Sequence, residues 1–327
     1  MSRDLGKIEV TGQRADTAPS SPPLVSILLP TYNRANLLEE CVDSIVHQAY
    51  PHWELLICDD GSTDDTPVVA KRLVDKGKRS RYLRNPVRKG LSQTRNLVIS
   101  ASRGEFVFFV EDDLLLEADC LAVLVDTYLG LVNEGIRVGA VAPRLITTHR
   151  EPTGPLAKIF NFIGDSRREK MRLPCEIDGL TGIIYRNYHK DFDHVYEVGD
   201  VHACSLFPRS IFNHVGGYSN LYSGNYLMQE SDLHSRLRKS GYKLYFQPQA
   251  ITLHREAESG GCSIGTRSWR SYYYLLRNHS IFLVRIFGIK AVYMLPCYLC
   301  YFIYGPLKFG VHWLKLLCRK NNCVPDR

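Results

Sequence analysis

The sequence predicts an α/β domain, a mostly parallel sheet with helices on both faces, and three observations predict it. Short apolar runs alternate with amphipathic helices through the first part of the chain, the pattern of a doubly wound sheet. Phe106 to Val110 carries no polar side chain, so it reads as a central parallel strand covered on both faces. Glu111, Asp112 and Asp113 follow it at once, at the carboxyl edge where open α/β sheets gather ligands.

Each element has its own signal. Val25 to Leu29 is the first strand, and the helix after Asn33 puts Leu37, Leu38, Cys41 and Ile45 on one face before Pro51 stops it. Glu54 to Cys58 is the second strand, and Asp59-Asp60-Gly61-Ser62 leaves it. Ser62, with Asp65 three residues on, is placed to cap a helix carrying Val68, Val69 and Leu73. Tyr82 to Arg84 is a short third strand, Leu91 to Ala101 a helix that Gly104 terminates, and a further helix begins near Glu117. Residues 150–200 are rich in charge and aromatics with weak periodicity, which predicts a long irregular insertion, often a lid or binding loop. Regularity returns with Val201 to Phe207, Gly216-Gly217-Tyr218, a helix from about Glu230 to Ser240, and a strand from Lys243 to Phe246. His254 follows one more apolar run.

The organisation predicted is a disordered lead at 1–23, a domain at 24–265 with halves at 24–115 and 116–265, and a helical segment at 266–327. The lead is polar and has no apolar core of the secretory kind, which reads as the start of a cytosolic protein. With 327 residues, 45% of them hydrophobic, the chain can bury a sizeable core, and its net charge of +7 favours anionic partners. No dense basic block of the nucleic-acid type is present. The ten cysteines lack paired metal-ligand spacing, and the lone Cys297–Cys300 pair sits in an aromatic segment where packing explains it.

From about Trp269 the composition shifts to Tyr272, Tyr273 and Tyr274, then a chargeless stretch from Ala291 to Leu307 flanked by Arg and Lys. Pro296 and Pro306 interrupt it, so helices lying in a membrane interface are the favoured reading. A single span and a buried helical hairpin are the alternatives.

Hard carboxylate oxygens at the end of the Phe106 strand suit a divalent cation, and Mg²⁺ fills its remaining positions with water and substrate phosphates. Solvated loop acids, or charges at the N-terminus of the next helix, would look the same. The order of signals is more specific: Pro30-Thr31-Tyr32-Asn33-Arg34, Asp59-Asp60-Gly61-Ser62, Lys89-Gly90 then Arg95-Asn96, Glu111-Asp112-Asp113, Gln229-Glu230-Ser231-Asp232-Leu233, and His254. In that order the motifs resemble the inverting glycosyltransferases of family 2, which have the GT-A fold, across residues 24–255.

The resemblance implies that Thr31, Tyr32 and Asp60, with Asp59 beside it, hold the nucleoside of a nucleotide-diphosphate sugar, and that Arg95 lies on the diphosphate side. Otherwise Asp59 and Asp60 are turn or cap residues and Arg95 is a solvated helix charge. It implies further that Asp113 is a metal ligand, for Mg²⁺ or Mn²⁺, while Glu111 and Asp112 face the ribose and sugar. Glu111 stands where the family commonly has Asp, which puts the role of that first carboxylate in question. His254 matches a histidine that completes such metal sites, or is structural. Glu230 falls at the family's base, and Asp232 is the alternative because Gln229 stands where the commonest pattern has a second adjacent acid. Both acids could instead complement a helix N-terminus, worth about 0.3–1 kcal/mol each.

Taken together, the expectation is a metal-dependent, inverting enzyme on the cytoplasmic face of a membrane, moving a sugar to a hydroxyl of a lipid-linked or cell-envelope glycan. A sugar nucleotidylyltransferase would show a Gly-rich loop near the N-terminus, and Val25 to Arg34 contains no Gly. An inactive nucleotide-sugar-binding protein on the same fold is opposed by the intact Asp113 and Glu230.

Overall fold

Val25–Thr31 (β1) is buried along its whole length because helices cover both faces of the strand. The structure is a computed structural model and describes residues 22–75, 77, 79–147, 171–255 and 269–301. Parallel pairing joins β1 to Trp53–Asp59 (β2) and, on its other side, to Phe106–Phe109 (β4). Ser80–Arg84 (β3) extends β2. The intervening helices are Ala35–Val46 (α1), Thr66–Asp75 (α2) and Leu91–Ala101 (α3).

Beyond β4 the sheet changes direction. After the short strand Leu114–Leu116 (β5) and the helix Cys120–Asn133 (α4), Val138–Thr147 (β6) enters the sheet. Cys175–Ile177 (β7) and Ile184–Arg186 (β8) form a separate two-stranded hairpin, and Tyr196–Val198 (β9) pairs with a later strand. Leu206–Pro208 (β10) runs antiparallel between β4 and β6, followed by the helices Ile211–Val215 (α5) and Gln229–Lys239 (α6) and the strand Lys243–His254 (β11). The nine-stranded sheet is ordered β3-β2-β1-β4-β10-β6-β11-β5, with β9 on β11. One face packs α1 and α4 through Leu38, Ile45, Leu121 and Leu124; the other packs α3, α5 and α6 through Val98, Phe212, Leu233 and Leu237.

Several expectations need correction. The Phe106 strand is central and buried but parallel on one side only, because β10 returns beside it antiparallel. Ser62 does not cap α2: its hydroxyl accepts the Asn33 amide, while Asp64 Oδ1 accepts the Thr66 amide at the helix start. Val68 is exposed, and Val69 and Leu73 pack against the core beside the buried Thr66 and Ala70. Gly104 lies beyond the end of α3 and meets a packing demand: a Cβ there would sit 2.6 Å from the Leu24 carbonyl oxygen and the Ser26 amide. The irregular insertion predicted for 150–200 falls partly outside the described residues, and its described part, from 171, carries β7, β8 and β9. Most of the predicted disordered lead, and residues 302–307 of the chargeless stretch, also lie outside.

The C-terminal segment forms the helix Trp269–Phe287 (α7), a 3₁₀ turn at Gly288–Lys290, and helical residues 291–301 that contain Pro296. Phe282, Leu283, Ile286, Met294 and Tyr298 bury against Tyr222 and Met228, forming a third apolar cluster. Val284, Ile289, Val292 and Tyr293 face outward, with Lys290 exposed among them. Among the described residues, Arg270–Tyr301 alone is long and apolar enough to cross a membrane by length and composition, and 28% of its most apolar stretch is buried.

Candidate active site

The carboxyl ends of β1, β2 and β4 open into one cleft of about 370 Å³, closed on its far side by residues 225–230. Thr31, Tyr32, Asp60, Glu111, Asp112, Asp113 and Glu230 all line it. The strand register explains the grouping: Thr31 is opposite Asp59 on the neighbouring strand, and Glu111 follows the last residues of β4.

Asp60 is buried and its carboxylate accepts four hydrogen bonds, three of them on Oδ1. Oδ1 accepts from the Asn85 amide group (2.9 Å), the Lys89 backbone amide (2.8 Å) and the Thr94 hydroxyl (2.8 Å), and Oδ2 accepts from the Gly90 amide (2.8 Å). It therefore fixes the 85–94 loop along the cleft. Asp59 lies outside the cleft, because adjacent residues at a strand end point to opposite faces. Its Oδ1 accepts the Ser62 amide, and Oδ2 takes the Tyr82 hydroxyl (2.8 Å) and faces Arg84 (3.3 Å).

Three carboxylates crowd the end of β4. Thr31 donates to Asp112 Oδ2 at 2.7 Å, and Arg34 approaches both Asp112 (4.0 Å) and Asp113 (3.5 Å). Burial and then the Asp113 charge push the Asp112 carboxyl up to about 7, against the pull of Arg34 and Thr31. Its crowded surroundings raise Glu111 as well, opposed by Arg95 and reinforced by Asp113 and Glu230, although its side chain stays 41% exposed.

Arg95 is fully buried, so it is not a solvated helix charge. It donates to Glu230 Oε1 at 2.5 Å and to Glu111 Oε1 at 3.2 Å, and its guanidinium lies 5.0 Å from the Tyr218 ring centroid. Burial works against its charge, but Glu230, Tyr218 and Glu111 outweigh that and hold its proton more tightly than usual. One cation thus ties the acid after β4 to the acid opening α6, and fixes where each points.

Glu230 faces the cleft; Asp232, two residues on, does not. Asp232 is completely buried, with Oδ2 on Arg236 (2.8 Å) and Oδ1 on Arg285 of α7 (2.6 Å) and the Tyr222 hydroxyl (3.2 Å). It secures the C-terminal helix to α6.

Asp113 Oδ1 is buried and accepts no hydrogen bond among the described residues, an uncommon state for a carboxylate oxygen. His254 Nε2 lies 3.6 Å from it. The antiparallel β5/β11 register places His254 opposite Leu114, and the Arg255 amide donates to the Asp113 carbonyl. A hard oxygen and an imidazole so placed fit Mg²⁺ or Mn²⁺. Among the described residues no three His, Cys, Asp or Glu side chains converge on one point, so the remaining positions would fall to water and phosphate oxygens.

Several cleft residues carry no role in the sequence reading, Arg34, Arg88, Tyr226 and Gln229 among them. Arg34 closes the first motif, Arg88 lies 4.0 Å from the Tyr32 ring centroid, and Tyr226 and Gln229 form the far wall. No local pattern marked Tyr226, although it and Met228 adopt positive φ (53° and 71°), a backbone state of functional loops rather than of any sequence signature.

Comparison with known proteins agrees with this architecture. The family model described as Glycosyl transferase family 2 matches residues 26–216, more than half of the chain. A UDP-Glc:α-D-GlcNAc-diphosphoundecaprenol β-1,3-glucosyltransferase, WfgD of Escherichia coli, is 31% identical over 139 residues, covering 39% of this chain and 54% of that protein. A chondroitin synthase of Pasteurella multocida is 36% identical over 107 residues, 33% of this chain and 11% of its own length. The chain thus spans well under two thirds of these relatives. Among solved structures, the mannosyltransferase PcManGT of Pyrobaculum calidifontis, in complex with GDP-Man and Mn²⁺, aligns with a TM-score of 0.53 at 19% identity, covering 96% of this chain and 81% of that one. S. aureus TarS 1-349 with UDP aligns at 0.51 and 14% identity, covering 85% and 71%. At such identities the likeness concerns the GT-A fold alone.

Proposed function

The chain belongs to glycosyl transferase family 2, and from that premise we propose that it moves one sugar, with inversion, from a nucleoside diphosphate sugar to a hydroxyl of a lipid-linked or cell-envelope glycan. It is a glycosyltransferase with the GT-A fold. The observation that carries the reading is that Glu230 lines the same cleft as Asp113, while Arg95 braces Glu230 from beneath.

In this reading the 24–115 half binds the donor, with Thr31, Tyr32 and Asp60 on the nucleoside side. The 116–265 half presents the acceptor. Glu230 takes the proton of the acceptor hydroxyl as that oxygen bonds to C1; the bond from C1 to the diphosphate oxygen breaks on the opposite face, and its electrons leave with the nucleoside diphosphate. A bound Mg²⁺ or Mn²⁺, held by Asp113 and His254, would supply positive charge for the departing diphosphate. Arg95 keeps Glu230 and Glu111 in register.

The lipid-linked acceptor is supported by the E. coli relative, named for a diphosphoundecaprenol substrate. The outward row of Val284, Ile289, Val292 and Tyr293 beside Lys290 supports docking of the C-terminal helices on an anionic membrane surface; its cytoplasmic face is the one we propose.

A screen of UDP- and GDP-linked sugars for release of free nucleotide tests the proposal. The expected result is release from one donor class, silenced by excess chelator and by Asp113→Ala. Full turnover in excess chelator would remove the metal from the scheme, and tight nucleotide binding without any release would leave a binding protein on this fold.

A further inference from the structure

We propose that Asn278, on the C-terminal helix α7, is a positioning residue for the acceptor side of the cleft, acting through loop 221–228. The glycosyl-transfer reading enters only in naming the substrate that this loop faces.

Asn278 is fully buried on a helix whose other buried positions, His279 apart, are the apolar Phe282, Leu283 and Ile286. An amide there weakens both the helix and the apolar cluster unless its hydrogen bonds are made. They are made to the loop. Nδ2 donates to the Ser223 carbonyl and to Asn225 Oδ1, each at 2.9 Å, and Oδ1 accepts from Arg277, which also donates to the Leu221 carbonyl at 3.0 Å. Between those anchors Gly224 adopts φ 73°, and a Cβ there would lie 2.3 Å from the Tyr274 ring. One turn of α7, residues 274–278, thus clamps residues 221–225.

What the clamp holds is the cleft wall. Asn225, Tyr226 and Leu227 line the cleft, and Glu230 follows at the start of α6. Tyr226 and Met228 sit at positive φ, a backbone state that non-glycine residues keep only when their surroundings over-determine it. The Tyr226 hydroxyl packs so closely on Gly90 that a Cβ there would be 1.8 Å away, which brings the loop against the segment Asp60 holds. None of Tyr274, Arg277 and Asn278 lines the cleft, so they act on it through the loop. The helix with the outward apolar row therefore also sets the acceptor wall.

The test uses the full chain with Asn278→Asp, which keeps the size but removes both donors, and Asn278→Ala. Hydrogen–deuterium exchange should rise at least tenfold at amides 221–228 in both variants, with amides 281–287 of the same helix and those of β1 and β4 unchanged. Affinity for UDP with Mn²⁺ should stay within about threefold. With UDP-Glc and GlcNAc-diphosphoundecaprenol as probes, acceptor kcat/KM should drop at least tenfold while donor KM stays within threefold. Unchanged exchange at 221–228 would overturn the proposal. So would an equal rise along all of α7, since Asn278 would then merely hold its own helix. If the wild type releases nucleotide from no donor in the sugar-nucleotide screen, the functional reading fails, and if it only fails to use this acceptor, the probe is not its substrate; in both cases the exchange and UDP measurements still decide the role of Asn278.

Discussion

Glu230 and Asp232 share one helical turn and have opposite surroundings. Side chains two apart on a helix diverge by about 200°, so only one can face the cleft, and the structure turns Glu230 that way. Glu230→Gln keeps shape and removes basicity; kcat should fall about 10²–10⁴-fold with donor Kd unchanged. Asp232→Asn should act on the fold, because it leaves Arg236 and Arg285 without their buried carboxylate, at a cost of about 1–3 kcal/mol in urea unfolding. A collapse of kcat in Asp232→Asn, with near-normal turnover in Glu230→Gln, would exchange the two roles. The sequence pattern named both acids and could not separate them, since the helix phase relative to the cleft depends on Leu233 and Leu237 packing under the sheet. The same holds for Asp59 and Asp60, whose doubled acid was legible while its alternation across the strand end was not used. Tyr226 and Asn278 escaped because a residue acting through tertiary contacts leaves no local period.

At the scale of elements, strands and helices with strong periodicity were read nearly to their ends, α3 at both. β5 and β6 were missed. Three residues, Leu114–Leu116, are too short to show a period, and they matter because their pairing with β11 carries His254 to Asp113. β11 was read as ending at Phe246, where an irregularity between Gln247 and Ile251 masks its continuation to His254. Gly104 was read as a helix stop from composition, although its place is set by the backbone of residues 24–26 pressing on it. Gly104→Ala should therefore destabilise the protein by about 1–3 kcal/mol, seen as a lower urea midpoint with unchanged slope.

For the whole molecule, two balances lie outside the cleft. Asp200 is buried against His234 of α6, where burial opposes its charge but Arg186 and His234 outweigh that and hold it at about 2. Nearby, burial lowers His202 to about 4, partly offset by the Pro143 carbonyl it donates to. The unfolded chain takes up the His202 proton from about pH 6.5 downward and the folded chain only near 4, so the His202 share of stability falls as pH drops through that window and is constant above it. This contribution should reach at most about 1.4 kcal/mol per pH unit, so His202→Gln should lose less stability than the wild type between pH 7 and 5 in urea titrations, while His279, also held at about 4, adds in the same sense and Asp112, held at about 7, in the opposite one. The Asp200 share persists to about pH 4 and is lost only below it. Surface chemistry gives the second balance: Ile289→Glu with Val292→Glu should weaken binding to anionic vesicles at least tenfold while thermal stability holds, because both side chains point outward. Raised salt should remove only the part due to Lys and Arg. Equal flotation of wild type and double variant would remove the docking surface.

The reversal of direction at β4 also bears on the order in which the chain folds. All pairings among β3, β2, β1 and β4 lie within residues 25–109, whereas β4 waits for β10 at 206–208 to cover its other edge. Local pairings close first, so a nascent chain on the ribosome holds a four-stranded parallel half-sheet with one open, apolar edge for the time needed to make another hundred residues. That edge is a template for misassociation, and chaperone capture should be greatest for chains stalled between about residues 120 and 200. In refolding, pulse-labelled amides of β1 and β2 should be protected before those of β10 and β11, and His254 should reach Asp113 only in the last phase.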